Sequence, residues 1–372
     1  MRIALNMANL RGQGSRQVGQ GIHTGLLAAG VDIAHCWIPE VWPDLPDFRG
    51  NVSRVRSGLL PKLLADNVSV RAHLRRLDAA CLFSLGDTGT IAPPVPHLLL
   101  VQQAFLAYTS EDLDFPLTAA FRAKLTLMSK YFQAGLPGVT HFTVQTEDMK
   151  RRLAARWGLS SDRVSVVPSA VDDIVLEFAQ RGRAPAPEPY LCYLASANSH
   201  KNHEILAPVL ARVRRHSPRV TCHLTVRPEE VPALSAAARR LGVFEAFVFH
   251  GALSRRASME LLAGARAAII PSKLESFGLP YYEALALGVP VIAADRPFAR
   301  EACGDAALYA GADDAASFGS RVLEVVSSPA SEGTWSERAR SRFEAAHCTW
   351  SEIAFRYRGV LAALLGRSVH VA

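Results

Sequence analysis

The chain has 372 residues, of which 49% are hydrophobic and 20% charged, so it is long enough for about two folded domains and is neither fibrous nor disordered in composition. Its net charge of +7 favours anionic partners such as nucleotides or anionic lipids. Nucleic acid is the weakest candidate, because no basic run is interleaved with aromatic residues and no recognition motif is present.

The N-terminal half alternates predicted strands and helices. "RIALNM" is predicted to form a first strand, followed by a glycine-rich loop from Arg11 to Gly21 and a helix, "IHTGLLAAG". Strands are expected at "VDIAHCWIP", "AACLFSLG" and "HLLLVQQ", with a basic amphipathic segment from Arg54 to Leu77 after the first of these. A long helical stretch then leads to "THFTVQTEDMKRRLAARWG" and "RVSVVPSAVDD". This alternation predicts a parallel, doubly wound sheet.

The segment from Ala179 to Pro189 carries three prolines without hydrophobic periodicity, which is typical of a linker. After it a second strand–helix series starts with "YLCYLASAN". We therefore expect two Rossmann-like α/β domains facing across a cleft, with ligands bound beyond the carboxyl ends of the strands. Candidate binding loops are the glycine loop, "SANSHKN" and "SKLESFG", since each follows a predicted strand.

The stretch "PSKLESFGLPYYEALALGVPVIAAD" places Glu275 and Glu283 on either side of a predicted helix start. Gly278 and Pro280 favour a helix that begins at residue 279 or 280, because proline suits the first helical position and disfavours helix before it. Glu275 then lies in the preceding loop and Glu283 in the first turn.

Between these glutamates, the backbone N–H groups of Phe277, Gly278 and Leu279 are expected to be unpaired at the helix start. Amides at a helix start bind phosphate, and carboxylates accept hydrogen bonds from sugar hydroxyls. The pattern therefore suits a nucleotide sugar. The alternative is that Glu283 is only favoured by the helix dipole and that Glu275 is a loop charge.

Several motifs together resemble the retaining GT-B glycosyltransferases of family 4. "ESFGLPYYEALALGVPVIAAD" resembles their Glu-x7-Glu signature, "VSVVPSAVDD" is similar to the end of their first domain, and "ASANSHKNH" resembles their phosphate-contacting lysine turn. The resemblance covers most of the chain and is strongest from Arg163 to Gly311. It implies the GT-B fold, with an acceptor-binding domain at 1–180 completed by a C-terminal helix at 349–372, and a donor-binding domain at 181–348.

The resemblance also implies roles for single residues. Glu275 would contact the hydroxyls of the donor sugar, Glu283 the ribose, and Lys201 the pyrophosphate together with the amides before Glu283. Glu275 and Lys201 are thus the candidate catalytic residues. Gly12 and Gly14 of the glycine loop are expected to approach the donor closely.

Two departures from the family pattern affect these roles. The lysine turn lacks the Arg that many relatives carry a few residues earlier, so that Arg227, Arg255 or Arg256 is expected to supply this charge, or the lysine acts alone. Where many relatives have a His-Asp pair, this chain has Gln102 and Gln103. A glutamine can bind an acceptor hydroxyl, but it cannot act as a base at neutral pH.

No metal site or cofactor is expected beyond the donor substrate. Asp112-Leu113-Asp114 has the Asp-x-Asp form of a metal motif, but a solvated charged loop is the favoured interpretation. His200 could touch phosphate, although a surface histidine in a polar turn is favoured. The six cysteines include no Cys-x-x-Cys, so neither a zinc site nor a disulfide framework is indicated.

The sequence therefore predicts a metal-independent retaining glycosyltransferase that moves a hexosyl unit from a UDP- or GDP-sugar to a glycan or lipid-linked acceptor, as in bacterial surface polysaccharide synthesis. A cytoplasmic location is expected, because no signal peptide or 18-residue apolar run is present. The Arg54–Leu77 segment carries six basic residues against one acidic residue, which favours either peripheral contact with the inner membrane face or a solvated helix face. The alternatives are another GT-B activity, such as a sugar-nucleotide epimerase, and a non-catalytic subunit that binds sugar nucleotides.

Overall fold

The computed structural model describes residues 1–10, 12–42, 50–56 and 58–366, which divide into two units. The first unit contains Met1–Asp112, Leu117–Ala170 and the chain from Cys348 onward. The second contains Leu113–Pro116 and Val171–His347. The chain passes from the first unit to the second between Ala170 and Val171, inside "VSVVPSAVDD", whereas the sequence predicted a boundary at residue 180.

The first unit is a seven-stranded parallel sheet with strand order β3-β2-β1-β4-β5-β6-β7. Its strands are β1 (Arg2–Asn6), β2 (Asp32–Pro39), β3 (Asn51–Val55), β4 (Cys81–Ser84), β5 (His97–Leu100), β6 (His141–Val144) and β7 (Val164–Val166). Its helices are α1 (Gln13–Ala28), α2 (Leu59–Leu64), α3 (Val70–Leu74), α4 (Ala119–Gly135), α5 (Glu147–Trp157) and the last helix, α14 (Trp350–Leu364). Strand β3, which begins before the predicted basic segment, was not predicted.

The predicted glycine loop is wrong, because α1 begins at Gln13 and so includes Gly14. Two glycines further along this helix, Gly21 and Gly25, serve packing. A Cβ atom on Gly21 would lie 2.2 Å from the Trp350 ring, and one on Gly25 would lie 2.9 Å from the Trp350 carbonyl oxygen. Glycine therefore lets α14 pack directly against α1.

The second unit is a six-stranded parallel sheet with strand order β10-β9-β8-β11-β12-β13. Its strands are β8 (Tyr190–Tyr193), β9 (Thr221–Leu224), β10 (Phe247–Phe249), β11 (Ala267–Ile270), β12 (Val291–Ala294) and β13 (Ala307–Ala310). Its helices are α6 (Asp173–Arg181), α7 (Leu206–Arg214), α8 (Pro232–Arg240), α9 (Arg255–Gly264), α10 (Leu279–Ala286), α11 (Pro297–Cys303), α12 (Ala315–Val326) and α13 (Pro329–Ala346).

The central strands β11 and β12 are buried along their whole length, as expected for parallel strands covered by helices on both faces. The predicted pair of parallel, doubly wound α/β units is thus confirmed.

The proline-rich segment at 179–189 is not a free linker, because it is tied into the second unit. The buried Arg183 forms an ion pair with the buried Glu332 at 2.7 Å and donates to the carbonyl of Ala265. The backbone N–H of Ala186 donates to the carbonyl of Gly264 at 3.0 Å. Composition alone gave no sign of these tertiary contacts.

Candidate functional site

The strand order of the second unit reverses between β8 and β11, so the loops that follow these two strands diverge at the carboxyl edge of the sheet. Open parallel sheets bind ligands at such a point. The loop after β8 carries Lys201, and the loop after β11 carries Glu275. The topology therefore brings the two candidate catalytic residues to one place.

The lysine turn is fixed to the sheet by buried hydrogen bonds. Asn202 has a left-handed backbone, with φ of 56°, and its side-chain amide donates to the carbonyls of Pro271 at 3.2 Å and Ala312 at 2.8 Å. The hydroxyl of the buried Tyr193 donates to the Lys201 carbonyl at 2.8 Å. Because asparagine tolerates the left-handed region, this residue closes the turn and holds Lys201 in position.

Lys201 and Glu275 form a close ion pair, with 2.6 Å between Lys201 Nζ and Glu275 Oε1. Their side chains are 14% and 11% exposed, so both are largely packed yet accessible to a ligand. The ammonium has three N–H donors, and the pair with Glu275 leaves donors that can serve a phosphate as well.

Helix α10 begins at Leu279, one of the two predicted starts. Gly278 precedes it with a φ of 77°, and a Cβ atom there would lie 2.5 Å from the Tyr281 ring, so only glycine fits. No described side chain caps this end. Because Pro280 has no N–H and the N–H of Tyr281 donates to the Gly278 carbonyl at 2.9 Å, the backbone N–H groups of Phe277, Gly278 and Leu279 are the candidate donors to an anion. The prediction that Glu283 lies in the first turn is wrong, since the helix starts four residues earlier and Glu283 occupies the second turn.

Glu283 is buried and paired with Arg255, whose Nη1 lies 2.8 Å from Glu283 Oε1. Arg255 Nε also donates to Asp172 Oδ2 at 2.7 Å. Burial raises the pKa of the Glu283 carboxyl, and the neighbouring guanidinium opposes that shift. Arg255 is therefore shared between two carboxylates and carries no surplus charge for a phosphate.

The other two arginines considered for the phosphate lie apart from this pair. Arg256 is exposed and pairs with Glu177 at 2.7 Å. Arg227 is exposed at the end of the loop after β9, with its side chain packed across Gly251. Arg227 thus remains the candidate for a supplementary cation.

In the first unit, Gly12 lies just before α1 with an extended backbone, and both Gly12 and Gly14 are exposed. Gln102 and Gln103 follow β5, and their backbone N–H groups donate to Asp87 Oδ1 at 2.6 and 2.7 Å. The side-chain amide of Gln102 is used internally, donating to the Leu85 carbonyl at 2.9 Å.

The Asp-x-Asp sequence does not form a paired carboxylate site. Asp112 accepts hydrogen bonds from Thr109 and pairs with Arg152 at 2.7 Å, while Asp114 pairs with Arg296. Within the described ranges, no group of three or more His, Cys, Asp or Glu residues is arranged to hold a metal ion. His200 is half-buried rather than on the surface, and burial lowers its pKa to about 4.

Within the basic segment, residues 59–74 form one continuous helical stretch. A five-residue π-helical stretch, Ala65–Ser69, joins α2 to α3, and Leu64 and Val68 are 53% and 59% exposed. An open cavity of about 600 Å³ lies between this helix and β3, lined by Trp37, Ser53, Arg54, Val55, Arg56, Pro61, Leu64, Ala65, Val68 and Ser69. Of the helices in the described part of the chain, none is long and apolar enough to span a bilayer.

Residues 176–342 match the family model described as "Glycosyl transferases group 1". The matched segment contains the lysine turn, both glutamates and Arg255. The chain is 29% identical over 167 aligned residues to a D-inositol 3-phosphate glycosyltransferase of Nocardia farcinica, and the alignment covers 40% of this chain and 36% of that relative. The chain spans less than half the length of the curated relatives it matches. The family match and this relative support a glycosyltransferase.

Two solved structures resemble nearly the whole chain. Sucrose-phosphate synthase of Thermosynechococcus elongatus superposes with a TM-score of 0.74 at 18% identity, covering 98% of this chain and all of that one. Anabaena HepE, solved with UDP and glucose, gives 0.71 at 13% identity, covering 98% of this chain and 100% of that one. These similarities identify the fold as GT-B.

Several residues that build the site were not predicted. Asn202 and Tyr193 hold the lysine turn, and Asp172 shares Arg255 with Glu283. The signal for Asn202 was present in the sequence, because asparagine directly after a short polar turn often adopts the left-handed backbone. No local sequence pattern indicated that Asp172 and Glu283 would both pair with Arg255.

Proposed function

We propose that the chain is a retaining glycosyltransferase that moves a hexosyl unit from a UDP- or GDP-sugar to a glycan or lipid-linked glycan. The observation that carries this proposal is the Lys201–Glu275 ion pair of 2.6 Å beside the uncapped start of α10. It combines donors for a diphosphate with an acceptor for sugar hydroxyls within one matched family segment.

The proposed chemistry needs negative charge to be stabilised on the leaving diphosphate as its bond to the anomeric carbon breaks. Lys201 and the N–H groups at the start of α10 are fixed donors for that charge, and fixed donors require little reorganisation during the reaction. The leaving phosphate then takes the proton of the acceptor hydroxyl on the same face of the sugar. No protein nucleophile is used in this scheme.

Glu275 and Glu283 take different parts of the donor in this proposal. Glu275 accepts hydrogen bonds from the transferred sugar and so orients the reacting ring. Glu283 accepts hydrogen bonds from ribose through the carboxylate oxygen that Arg255 does not occupy, since each carboxylate has several acceptor positions. Arg255 favours the ionised form of this buried group.

The wider context is also a proposal. UDP is supported as one donor nucleotide by the UDP and glucose bound in the similar Anabaena structure. Action in the cytoplasm, at a membrane-linked step of surface polysaccharide synthesis, is supported by the exposed apolar and basic residues of the Arg54–Leu77 segment.

A thermal-shift screen of the purified chain with UDP- and GDP-sugars tests donor binding, because a ligand that binds only the folded state raises the midpoint of unfolding. The best donor is then used in a transfer assay, and NMR of the product gives the anomeric configuration. We expect a nucleotide-dependent shift, release of the nucleoside diphosphate and a product with the donor's configuration. An inverted product would refute the retaining mechanism, and no binding or turnover with any donor would refute the proposed function.

A further inference from the structure

The first unit has its own point of reversal in strand order. The strand order of its sheet reverses between β1 and β4, which are the first and fourth strands in the chain. In the second sheet the order also reverses between the first and fourth strands, β8 and β11. In the second unit this position carries Lys201 and Glu275. The corresponding loops of the first unit follow Asn6 and Ser84 and are the place to look for a second ligand site.

The two loops are joined at close range. Asn9, after β1, donates its side-chain amide to the carbonyl of Gly86, after β4, at 2.9 Å. A Cβ atom on Gly86 would lie 2.5 Å from the Asn9 Cβ, so the approach depends on glycine. The next residue, Asp87, is thereby brought to the edge of the sheet.

Asp87 is held in an unusual and well-defined geometry. Its backbone is left-handed, with a φ of 65°, and its Oδ1 accepts the backbone N–H groups of Gln102 and Gln103. The residue is half-buried, and among the described residues no hydrogen bond reaches its Oδ2. One carboxylate oxygen is therefore anchored to the protein and the other is left to accept from a ligand.

Lys62 supplies the complementary donor. Its ammonium donates to the hydroxyl of Thr88, the residue after Asp87, and lies 5.3 Å from the centroid of the Tyr131 ring. Asp66 stands one turn further along the same helix, fully buried, accepting from Asn6 at 3.0 Å and from the Tyr131 hydroxyl at 3.3 Å. The lysine thus lies between the fully buried carboxylate of Asp66 and the half-buried carboxylate of Asp87 and interacts electrostatically with both.

The combined charge of Lys62, Asp66 and Asp87 determines which kind of ligand can bind here. With Asp66 ionised, two carboxylates accompany one ammonium, and with Asp66 protonated, one carboxylate accompanies it. Burial raises the pKa of Asp87, and the N–H groups of Gln102 and Gln103 and the Lys62 ammonium oppose that shift. With Asp87 ionised, the summed charge of Lys62, Asp66 and Asp87 is negative or zero in both states, so these three groups offer a phosphate or carboxylate no surplus cation. Neighbouring hydroxyls of a sugar fit better, because one can donate to Asp87 and the next can accept from Lys62.

We propose that Asp87 and Lys62 bind and orient the accepting hydroxyls of a neutral sugar in the first unit. This inference rests on the proposed function, since it assigns the acceptor of that reaction. Gln103, whose backbone N–H donates to Asp87, is proposed to add its side chain to the site, whereas the Gln102 amide is committed to the Leu85 carbonyl. Asp87 orients the hydroxyl and removes no proton in this scheme.

Asp87→Asn is the sharpest test, because the amide oxygen still accepts from the two backbone N–H groups while the charge is lost. Acceptor probes are the methyl glycosides of glucose, galactose and mannose, with glucose 6-phosphate as the anionic counterpart, and donor hydrolysis without acceptor is measured in parallel. Asp112→Asn is the matched control, since Asp112 also accepts a backbone N–H in the same unit but lies in a different loop.

We expect transfer to a neutral glycoside, with kcat/KM for that acceptor reduced about tenfold or more in Asp87→Asn, the scale of a lost charge-assisted hydrogen bond. The donor KM and donor hydrolysis should match wild type, and Lys62→Met should act in the same direction. The inference would be overturned if Asp87→Asn left the acceptor kcat/KM unchanged or lowered hydrolysis and transfer equally. It would also be overturned if the wild-type chain preferred glucose 6-phosphate to all neutral glycosides, or hydrolysed the donor without transfer to any neutral probe. A wild-type chain that neither hydrolyses nor transfers any donor would instead refute the proposed function, and the acceptor site with it.

Discussion

Replacing Lys201 by alanine should reduce turnover far more than it reduces stability. The ammonium is 2.6 Å from Glu275 and both side chains are largely packed, so the variant loses one donor to the leaving diphosphate and leaves a carboxylate uncompensated nearby. Loss of one preorganised donor of this kind costs roughly 10²–10³ in kcat, or about 2.7–4 kcal/mol. Repulsion between Glu275 and the diphosphate acts in the same direction.

The effect on folding should be smaller. Removing one partner of a charge-assisted hydrogen bond costs roughly 1.5–3 kcal/mol, and Asn202 and Tyr193 still hold the turn. Lys273→Ala is the matched control, because Lys273 lies on the Glu275 loop, is 7% exposed and pairs with Asp313 at 2.6 Å. It should lose a comparable amount of stability and keep its kcat.

The assay is release of nucleoside diphosphate at saturating donor, with the folded fraction of each variant fixed by its thermal unfolding curve. Lys201→Arg should retain an intermediate kcat, since it keeps the charge but changes the geometry. If Lys201→Ala and Lys273→Ala lowered kcat equally, the effect of Lys201 would be structural. Wild-type turnover in Lys201→Ala would place the diphosphate elsewhere.

Four further outcomes are expected. Glu283→Ala should raise the donor KM while Glu275→Ala mainly lowers kcat, because Glu283 is proposed to bind the ribose and Glu275 the reacting sugar; wild-type kinetics in both would exclude them from the site. Turnover should survive excess EDTA, since the lysine and the amides of α10 are proposed to balance the diphosphate; loss of activity with rescue by manganese would contradict this. The Arg54–Leu77 segment should bind anionic vesicles, with about 1 kcal/mol of binding free energy per basic residue near the surface, and should release them at high salt. Leu64→Ser should weaken this binding, because Leu64 is exposed. Equal sedimentation with neutral and anionic vesicles would rule out an electrostatic contribution to binding. Burial lowers the pKa of His203 from 6.5 to about 4, so between these pH values the unfolded state binds a proton that the folded state does not. The free energy of unfolding should therefore fall as the pH drops from 6.5 towards 4. An unchanged melting midpoint in circular dichroism, or the same pH sensitivity in His203→Gln, would contradict a contribution from His203.

The parts of the structure that could be predicted depend on local rules. The alternation of strands and helices gave two parallel sheets, and the conformational limits of Gly278 and Pro280 gave the start of α10. Once the strands are known, the approach of Lys201 and Glu275 also follows, because both residues lie in loops beyond neighbouring carboxyl ends. Each of these inferences needs only a few consecutive residues or the direction of a strand.

The parts that failed depend on partners far away in the chain. Gly21 resembled a loop residue, and nothing near it showed that Trp350 would pack against its Cα. The prolines at 179–189 resembled a linker, but Arg183 reaches Glu332, about 150 residues later, and fixes the segment in the second unit. Side-chain burial and ion pairing of this kind are set by tertiary packing, which a local pattern does not contain.

The two points of strand reversal differ in charge in a way that suits a two-substrate reaction. The second unit combines a lysine with the candidate N–H donors of Phe277, Gly278 and Leu279 at the start of α10, which together favour a diphosphate. The first unit surrounds its lysine with one or two carboxylates, which favours hydroxyls and disfavours a second anion. With Asp66 and Asp87 both ionised, a nucleotide sugar bound at the lysine of the first unit would face surplus negative charge, so we propose that the same fold element discriminates between donor and acceptor. Substitutions at Asp87 should then change acceptor kinetics alone, whereas substitutions at Lys201 should change donor hydrolysis and transfer together, because both reactions break the bond between the donor sugar and the diphosphate.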